Sequence, residues 1–168
     1  MSGIDPRQLL ALVIRPTLVV LGSPFGGQAW EELLLGTQLQ ESSGGRYLHQ
    51  LGNGPAAGIW EMEKGDHDDI WSNFLKYKPD LAAKVKSIMI GAVSDFEEME
   101  GNLYYACAMA ALHYLRATIQ HKVNLAAAGD LAGQAAFYKQ FYNTPAGAAT
   151  TGQYISNWNA AMGGQPAA

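Results

Sequence analysis

A single, mainly α-helical domain is what this sequence predicts, on three observations. Several runs repeat apolar residues at helical spacing, the mark of a helix with one buried face. Convincing strands are missing, apart from room for short pairs between Arg46 and Glu63. The chain has 168 residues, 48% hydrophobic and 15% charged, which is enough for one sizeable core.

The elements follow in order. Asp5-Pro6 reads as an N-cap with proline in the first turn, opening a helix over residues 5–22 that packs on the domain and kinks or breaks near Pro16. Gly22 to Gly27 is a loop. A second helix spans about Gln28 to Glu41, with Trp30, Leu33, Leu34 and Thr37 on a stripe leading to Glu41. Ser42-Ser43-Gly44-Gly45 stops it. Arg46 to Glu63, rich in Gly, Asn and Pro, forms a small irregular or β-like lobe. Asp66 is placed to cap the next helix, which carries Ile70, Trp71, Phe74 and Leu75. Pro79-Asp80 begins another, through about Ile90. Asn102 to Thr118 is the longest apolar helical run and the expected central helix. Leu131 to Tyr142 is helical until Asn143-Thr144-Pro145-Ala146-Gly147 breaks it, and a last short helix covers Gly152 to Ala160. The domain is expected over residues 1–162, with 163–168 as a flexible tail.

Composition removes several function classes. The net charge is −4, and no block of lysine and arginine appears, which argues against a nucleic-acid surface. The apolar stretch Leu9 to Leu21 is interrupted by Arg15-Pro16 and is too short for a membrane span, and no secretory signal is visible. Cys107 is the only cysteine, so no intramolecular disulfide forms; within an apolar run it reads as a small core residue. Asp66-His67-Asp68-Asp69 are consecutive, so their side chains diverge at a helix start, and capping accounts for them better than a metal does. His49, His113 and His121 show no ligand spacing. No metal and no cofactor is expected.

Glu41 carries the chemical interest. It ends an amphipathic run and is followed at once by a glycine-rich loop, a place where a carboxylate borders a cleft. A glycosidic oxygen leaves poorly unless it is protonated as the bond breaks. The acid must therefore hold its proton near neutral pH, which partial burial achieves by disfavouring the charged form. Aromatic rings are plentiful, and sugar faces stack on such rings; most belong to the core.

Four blocks then resemble the lysozyme-like superfamily, in particular soluble lytic transglycosylases and goose-type lysozymes. Glu41-Ser42 is similar to the family's Glu-Ser. Ala56-Ala57-Gly58-Ile59-Trp60-Glu61 resembles its Ala-x-Gly-Leu-Met-Gln, at a similar distance. Asn102-Leu103-Tyr104-Tyr105-Ala106 with His113-Tyr114-Leu115-Arg116 resembles its Asn-Ile...Gly...Tyr-Leu helix. Phe141-Tyr142-Asn143-Thr144-Pro145 resembles its Ala-Tyr-Asn-Ala-Gly. The chain departs from the pattern at Glu61, where the family has Gln, at Gly52 and Pro55, at Ala106, and at Pro145 after Tyr142-Asn143.

The resemblance implies a lysozyme-like fold and a lytic transglycosylase or muramidase that cleaves the β-1,4 bond between N-acetylmuramic acid and N-acetylglucosamine in peptidoglycan. Glu41 would be the catalytic acid, then the base while the muramoyl C6 hydroxyl closes a 1,6-anhydro ring. Gly58, Ile59, Trp60, Tyr104, Tyr142 and Asn143 would contact substrate, and Glu61 would be a second acid or a substrate contact. Similar chains among tailed-phage proteins imply a virion-associated or lysis protein. It would reside in the virion, with other virion proteins as partners, or in the host cytoplasm before release. The alternative is a non-catalytic structural virion protein using the same fold.

Overall fold

Helical order begins at Asp5, whose carboxylate accepts from the backbone N–H groups of Arg7 and Gln8, both at 3.0 Å. The computed structural model describes residues 3–143 and 147–163. The first helix, α1 (Pro6–Leu9), runs into a π-helical stretch, Leu10–Ile14, and then into α2 (Arg15–Leu21). The expected break at Pro16 is absent. The wider π turn, in which the Arg15 N–H reaches back to the Leu10 carbonyl, absorbs the missing proline N–H.

Helix α3 (Gln28–Glu41) has the expected bounds. Nearly every residue from Trp30 to Leu39 is buried, Glu32 and Gln38 included. The sequence points to one central helix, but the structure has two. Helix α3 is enclosed by α7, α8, α9 and the π-helical stretch, so it lacks a solvated face. Helix α7 (Leu103–His121) is the other. Its Asn102 cap accepts from the Tyr105 N–H at 3.1 Å and donates to the Ile88 carbonyl at 2.7 Å. The small side chains of Ala106, Ala108, Ala110 and Ala111 are fully buried and let neighbours approach closely. Thr37 and Tyr114 share a hydroxyl hydrogen bond of 2.6 Å that ties the two central helices together.

The remaining helices surround this pair. They are α4 (Lys64–Asp69), α5 (Pro79–Lys86), α6 (Glu98–Gly101), α8 (Leu131–Phe141) and α9 (Thr151–Met162). A π-helical stretch, Ile70–Phe74, and a 3-10 turn, Leu75–Tyr77, follow α4. Three expectations shift here. Helix α4 starts at Lys64, before Asp66, so Asp66 lies in the first turn and caps nothing. Helix α5 stops at Lys86, short of Ile90. Helix α9 starts one residue earlier than expected, where Thr150 and Gln153 form a reciprocal capping box, and runs on to Met162. The tail beyond Gly163 and the break at Thr144 to Ala146 lie outside the described residues.

The lobe after α3 holds the only described sheet, β1 (Ala56–Ala57) paired antiparallel with β2 (Met62–Glu63). A bridge from His49 to Ala57 adds one rung. Within the core, Gly36 of α3 faces the Tyr154 ring of α9, and a β-carbon there would sit 1.9 Å from the Tyr154 hydroxyl oxygen. Gly36→Ala is therefore expected to destabilise the fold by about 1–3 kcal/mol through overpacking. Denaturant titration measures this, and an unchanged midpoint would disprove the tight contact.

Candidate active site

Glu41 sits on the last turn of α3, with Ser42 as the residue that ends it. The chain then turns through Ser43, Gly44 and Gly45, all at positive φ, which is why a Ser-Ser-Gly-Gly run follows the helix. The Ser42 hydroxyl is fully buried and holds two segments at once. It donates to the Ile59 carbonyl at 2.7 Å and accepts from the Gly45 N–H at 3.0 Å.

Two further bonds fix the turn between β1 and β2. The Trp60 indole N–H donates to the Leu34 carbonyl at 2.9 Å, and the Tyr142 hydroxyl donates to the Trp60 carbonyl at 2.8 Å. Gly58 enters the turn at φ +75°, and a β-carbon there would lie 2.7 Å from the Met99 carbonyl oxygen, so the turn packs directly on α6 and α7. The turn closes with a hydrogen bond from the Glu61 N–H to the Gly58 carbonyl at 2.9 Å. It leaves Glu61 at φ +46°, a conformation ordinarily occupied by glycine or asparagine.

These anchors set the Glu61 carboxyl on the wall of a cavity of about 450 Å³ that also receives Glu41. Gln50, Ala56, Met62, Glu63, Asp66, His113, Tyr142, Asn143 and Gly147 complete the lining. The Tyr138 hydroxyl donates to Glu41 Oε1 at 2.6 Å, leaving Oε2 to carry a proton. Burial raises the Glu41 pKa to about 7. The Tyr138 hydrogen bond pulls it down, and the neighbouring Glu61 charge pushes it up. The Glu61 carboxyl is half-buried and is also held above its ordinary range by burial, with His49 opposing. Two carboxyls of unequal burial thus face one cavity, the more buried one being a proton donor near neutral pH.

Tyr138→Phe removes the only stabilisation of the Glu41 anion by hydrogen bonding among the described residues. Glu41 is expected to titrate higher in that variant, and the alkaline limb of any Glu41-dependent reaction should move up with it. A carboxyl carbon NMR titration of both proteins checks this. A lower or unchanged value would refute the assigned role of Tyr138.

The residues expected at the site divide clearly. Glu41, Glu61, Tyr142 and Asn143 are brought together around the cavity. Ile59 and Trp60 are not: both side chains are fully buried, so Trp60 is a peg into the core and offers no ring to a sugar. Gly58 contributes backbone shape only. Tyr104 is exposed on the first turn of α7 and does not line the cavity. Tyr142 lines the wall, but its hydroxyl is spent on the hairpin, and the tyrosine in contact with Glu41 is Tyr138. That residue lies one helical turn earlier on the same strip of α8, so the sequence signal was its i−4 spacing.

The charged residues beside the site also fall differently from expectation. Asp66 and Asp69 pair with Arg116 of α7, the Asp66 contact being 3.6 Å, which locks α4 against α7. His67 is buried and bonds the Tyr105 hydroxyl at 2.7 Å, so it acts in packing. His113 donates from Nε2 to the Phe141 carbonyl at 2.7 Å, and burial lowers its pKa, which keeps it neutral beside the Tyr142 ring.

A larger and more apolar groove, about 550 Å³, is lined by Leu48, Ile90, Val93, Glu97, Glu98 and Glu100 among others. Its chemistry is unlike that of the Glu41 cavity. A hydrogen bond from the Ser94 hydroxyl holds Glu97 below the carboxylate range. Burial pushes the Glu98 carboxyl up, but the N–H groups of Gly91 and Ile90 and the Asn102 amide together hold it low. Neither is an acid at neutral pH. No protein-family description, no curated protein and no solved structure matches this chain.

Proposed function

We propose that this protein cleaves the glycan strands of peptidoglycan at the β-1,4 bond between N-acetylmuramic acid and N-acetylglucosamine, as a lytic transglycosylase or muramidase with Glu41 as its acid. The observation that carries this reading is the Glu41 carboxyl. It ends a buried helix, opens on a cavity of about 450 Å³, and keeps its proton up to a pH of about 7. Proton donation to a poor leaving oxygen needs that combination, because an ordinary surface glutamate is ionised well below neutral pH. The order of the four sequence blocks supports the choice of substrate, and residues from all four of them line the cavity, His113 being the contribution of the third.

The step is direct. Glu41 Oε2 protonates the glycosidic oxygen as its bond to the muramoyl C1 breaks, while Tyr138 steadies the carboxylate left behind. The neutral, hydrogen-bonding groups of Gln50 and Asn143 suit hydroxyl and acetamido substituents. Zymography on purified peptidoglycan tests the reading. Wild type is expected to clear the wall layer and Glu41→Gln to leave it intact. No clearing by folded wild type on walls of several chemotypes would overturn the enzymatic reading in favour of a structural protein. As a glycosidase of the wall, it would act outside the compartment that makes it. Among the described residues no helix is long and apolar enough to cross a membrane.

A further inference from the structure

We infer that Glu61 is a second catalytic residue, the base that delivers water, so that this protein hydrolyses the bond and does not close an anhydro ring. The inference rests on the reading of Glu41 as acid in the same cavity.

Three structural observations carry it. First, Glu61 and Glu41 line one cavity from different elements, the hairpin turn and the end of α3, so a sugar ring seated there has a carboxyl from each. Second, the hairpin is pinned from three sides, by Ser42 to the Ile59 carbonyl, by Trp60 to the Leu34 carbonyl, and by Tyr142 to the Trp60 carbonyl. Such anchoring holds Glu61 at φ +46° against its own preference, and strain of this kind persists only where the surroundings enforce it. Third, among the described residues no side chain donates a hydrogen bond to the Glu61 carboxyl, whereas Glu41 is already engaged by Tyr138. An acceptor left free in a cavity wall is able to take a proton from water. The two groups are also separated in proton affinity, since Glu41 is the more deeply buried and Glu61 is further steadied as an anion by His49.

Glu41 gives its proton to the glycosidic oxygen, and the C1–O bond breaks with its electron pair going to that oxygen. A water molecule attacks C1 through its oxygen and gives one proton to the Glu61 carboxylate. One water is consumed, and the product carries a reducing-end muramic acid. Exchange of a proton with solvent returns Glu41 to its acid form and Glu61 to its anion. When Glu61 cannot accept, the C6 hydroxyl of the muramoyl unit is the nucleophile that remains within reach of C1, with Glu41 as its base.

Digestion of purified peptidoglycan in oxygen-18 water, with mass spectrometry of the released fragments, tests this. Wild type is expected to give reducing ends carrying one heavy oxygen. Glu61→Gln keeps the size and shape of the side chain but removes its basicity. In it the ratio of reducing to anhydro ends should fall about tenfold or more, the scale on which a positioned base acts. Its thermal unfolding temperature should be no lower than that of wild type, which separates a chemical from a folding effect. Glu61→Asp, which retains a carboxylate, should recover part of the reducing product. Anhydro ends from wild type would overturn the role of Glu61 while leaving Glu41 as acid. An unchanged product ratio in folded Glu61→Gln would do the same. Absence of any cleavage by wild type would instead strike the reading of Glu41 on which this one stands.

Discussion

Glu41→Gln is expected to lower glycan cleavage by about 10²- to 10⁴-fold while making the protein more stable at neutral and alkaline pH. The two effects have one cause. Glu41 keeps its proton up to about pH 7 in the folded protein, whereas a glutamate in an unfolded chain releases it near 4.5. Between those values the folded state binds more protons than the unfolded one, so stability falls as pH rises through that window and levels off above it. The loss amounts to roughly 3 kcal/mol, from about 1.4 kcal/mol for each unit of difference. A glutamine has no charge to bury and keeps the Tyr138 hydrogen bond, so the variant escapes the loss. Urea unfolding at pH 4.5 and pH 8 measures it: the two proteins should agree at the lower pH and diverge at the higher. Equal stability at both would show that burial of Glu41 carries no penalty. On the proposed function, the same titration is expected to set the activity profile of wild type, since the acid form disappears as pH rises through about 7.

The second large effect is expected at Glu32, which is nowhere near the cavity lining. Its carboxylate is fully buried in α3 and accepts three hydrogen bonds: from the Gln28 amide at 2.8 Å, the Gly129 N–H at 2.7 Å and the Gln134 amide at 2.6 Å. Two of these donors belong to the start of α8 and the loop before it. Glu32 therefore clamps the helix that bears Tyr138 onto the helix that bears Glu41. Glu32→Leu leaves the Gly129 N–H and the Gln134 amide without this acceptor. The buried Gln134 amide then keeps only its long 3.4 Å bond to the Ala127 carbonyl, while the Gly129 N–H, on an exposed residue, reaches solvent, so a loss of about 1–3 kcal/mol is expected. Replacing a buried charge with an apolar group is often harmless, but only where its partners change too, and here they stay. Chemical denaturation gives the number. A loss below about 1 kcal/mol would mean that water or rearranged side chains satisfy these donors.

Much of the fold was legible in the chain because it rests on local signals. Asp5-Pro6 marks a helix start, Ser42-Ser43-Gly44-Gly45 a helix end, and the spacing of Trp30, Leu33, Leu34 and Thr37 a helix between them; each depends on residues a few positions apart. The misplaced features depend on partners far along the chain. Pro16 breaks nothing because a π turn packed in the core absorbs it. Asp66 caps nothing because the helix already starts at Lys64, and it pairs instead with Arg116, fifty residues later. Helix α3 reads as amphipathic, yet four neighbouring elements bury it on all sides.

The site divides in the same way. The residue order alone shows that a glutamate stands where a helix breaks into glycine, and that a Gly-, Asn- and Pro-rich lobe carrying Glu61 follows it. Their surroundings, by contrast, came from tertiary packing. Packing of the hairpin on α3 turned Trp60 from a sugar platform into a core peg, and the rotation of α8 put Tyr138, not Tyr142, against Glu41. It also gave Glu41 its proton. A pKa near neutral is a property of buried surroundings, and burial is created by residues that meet only when the chain has folded.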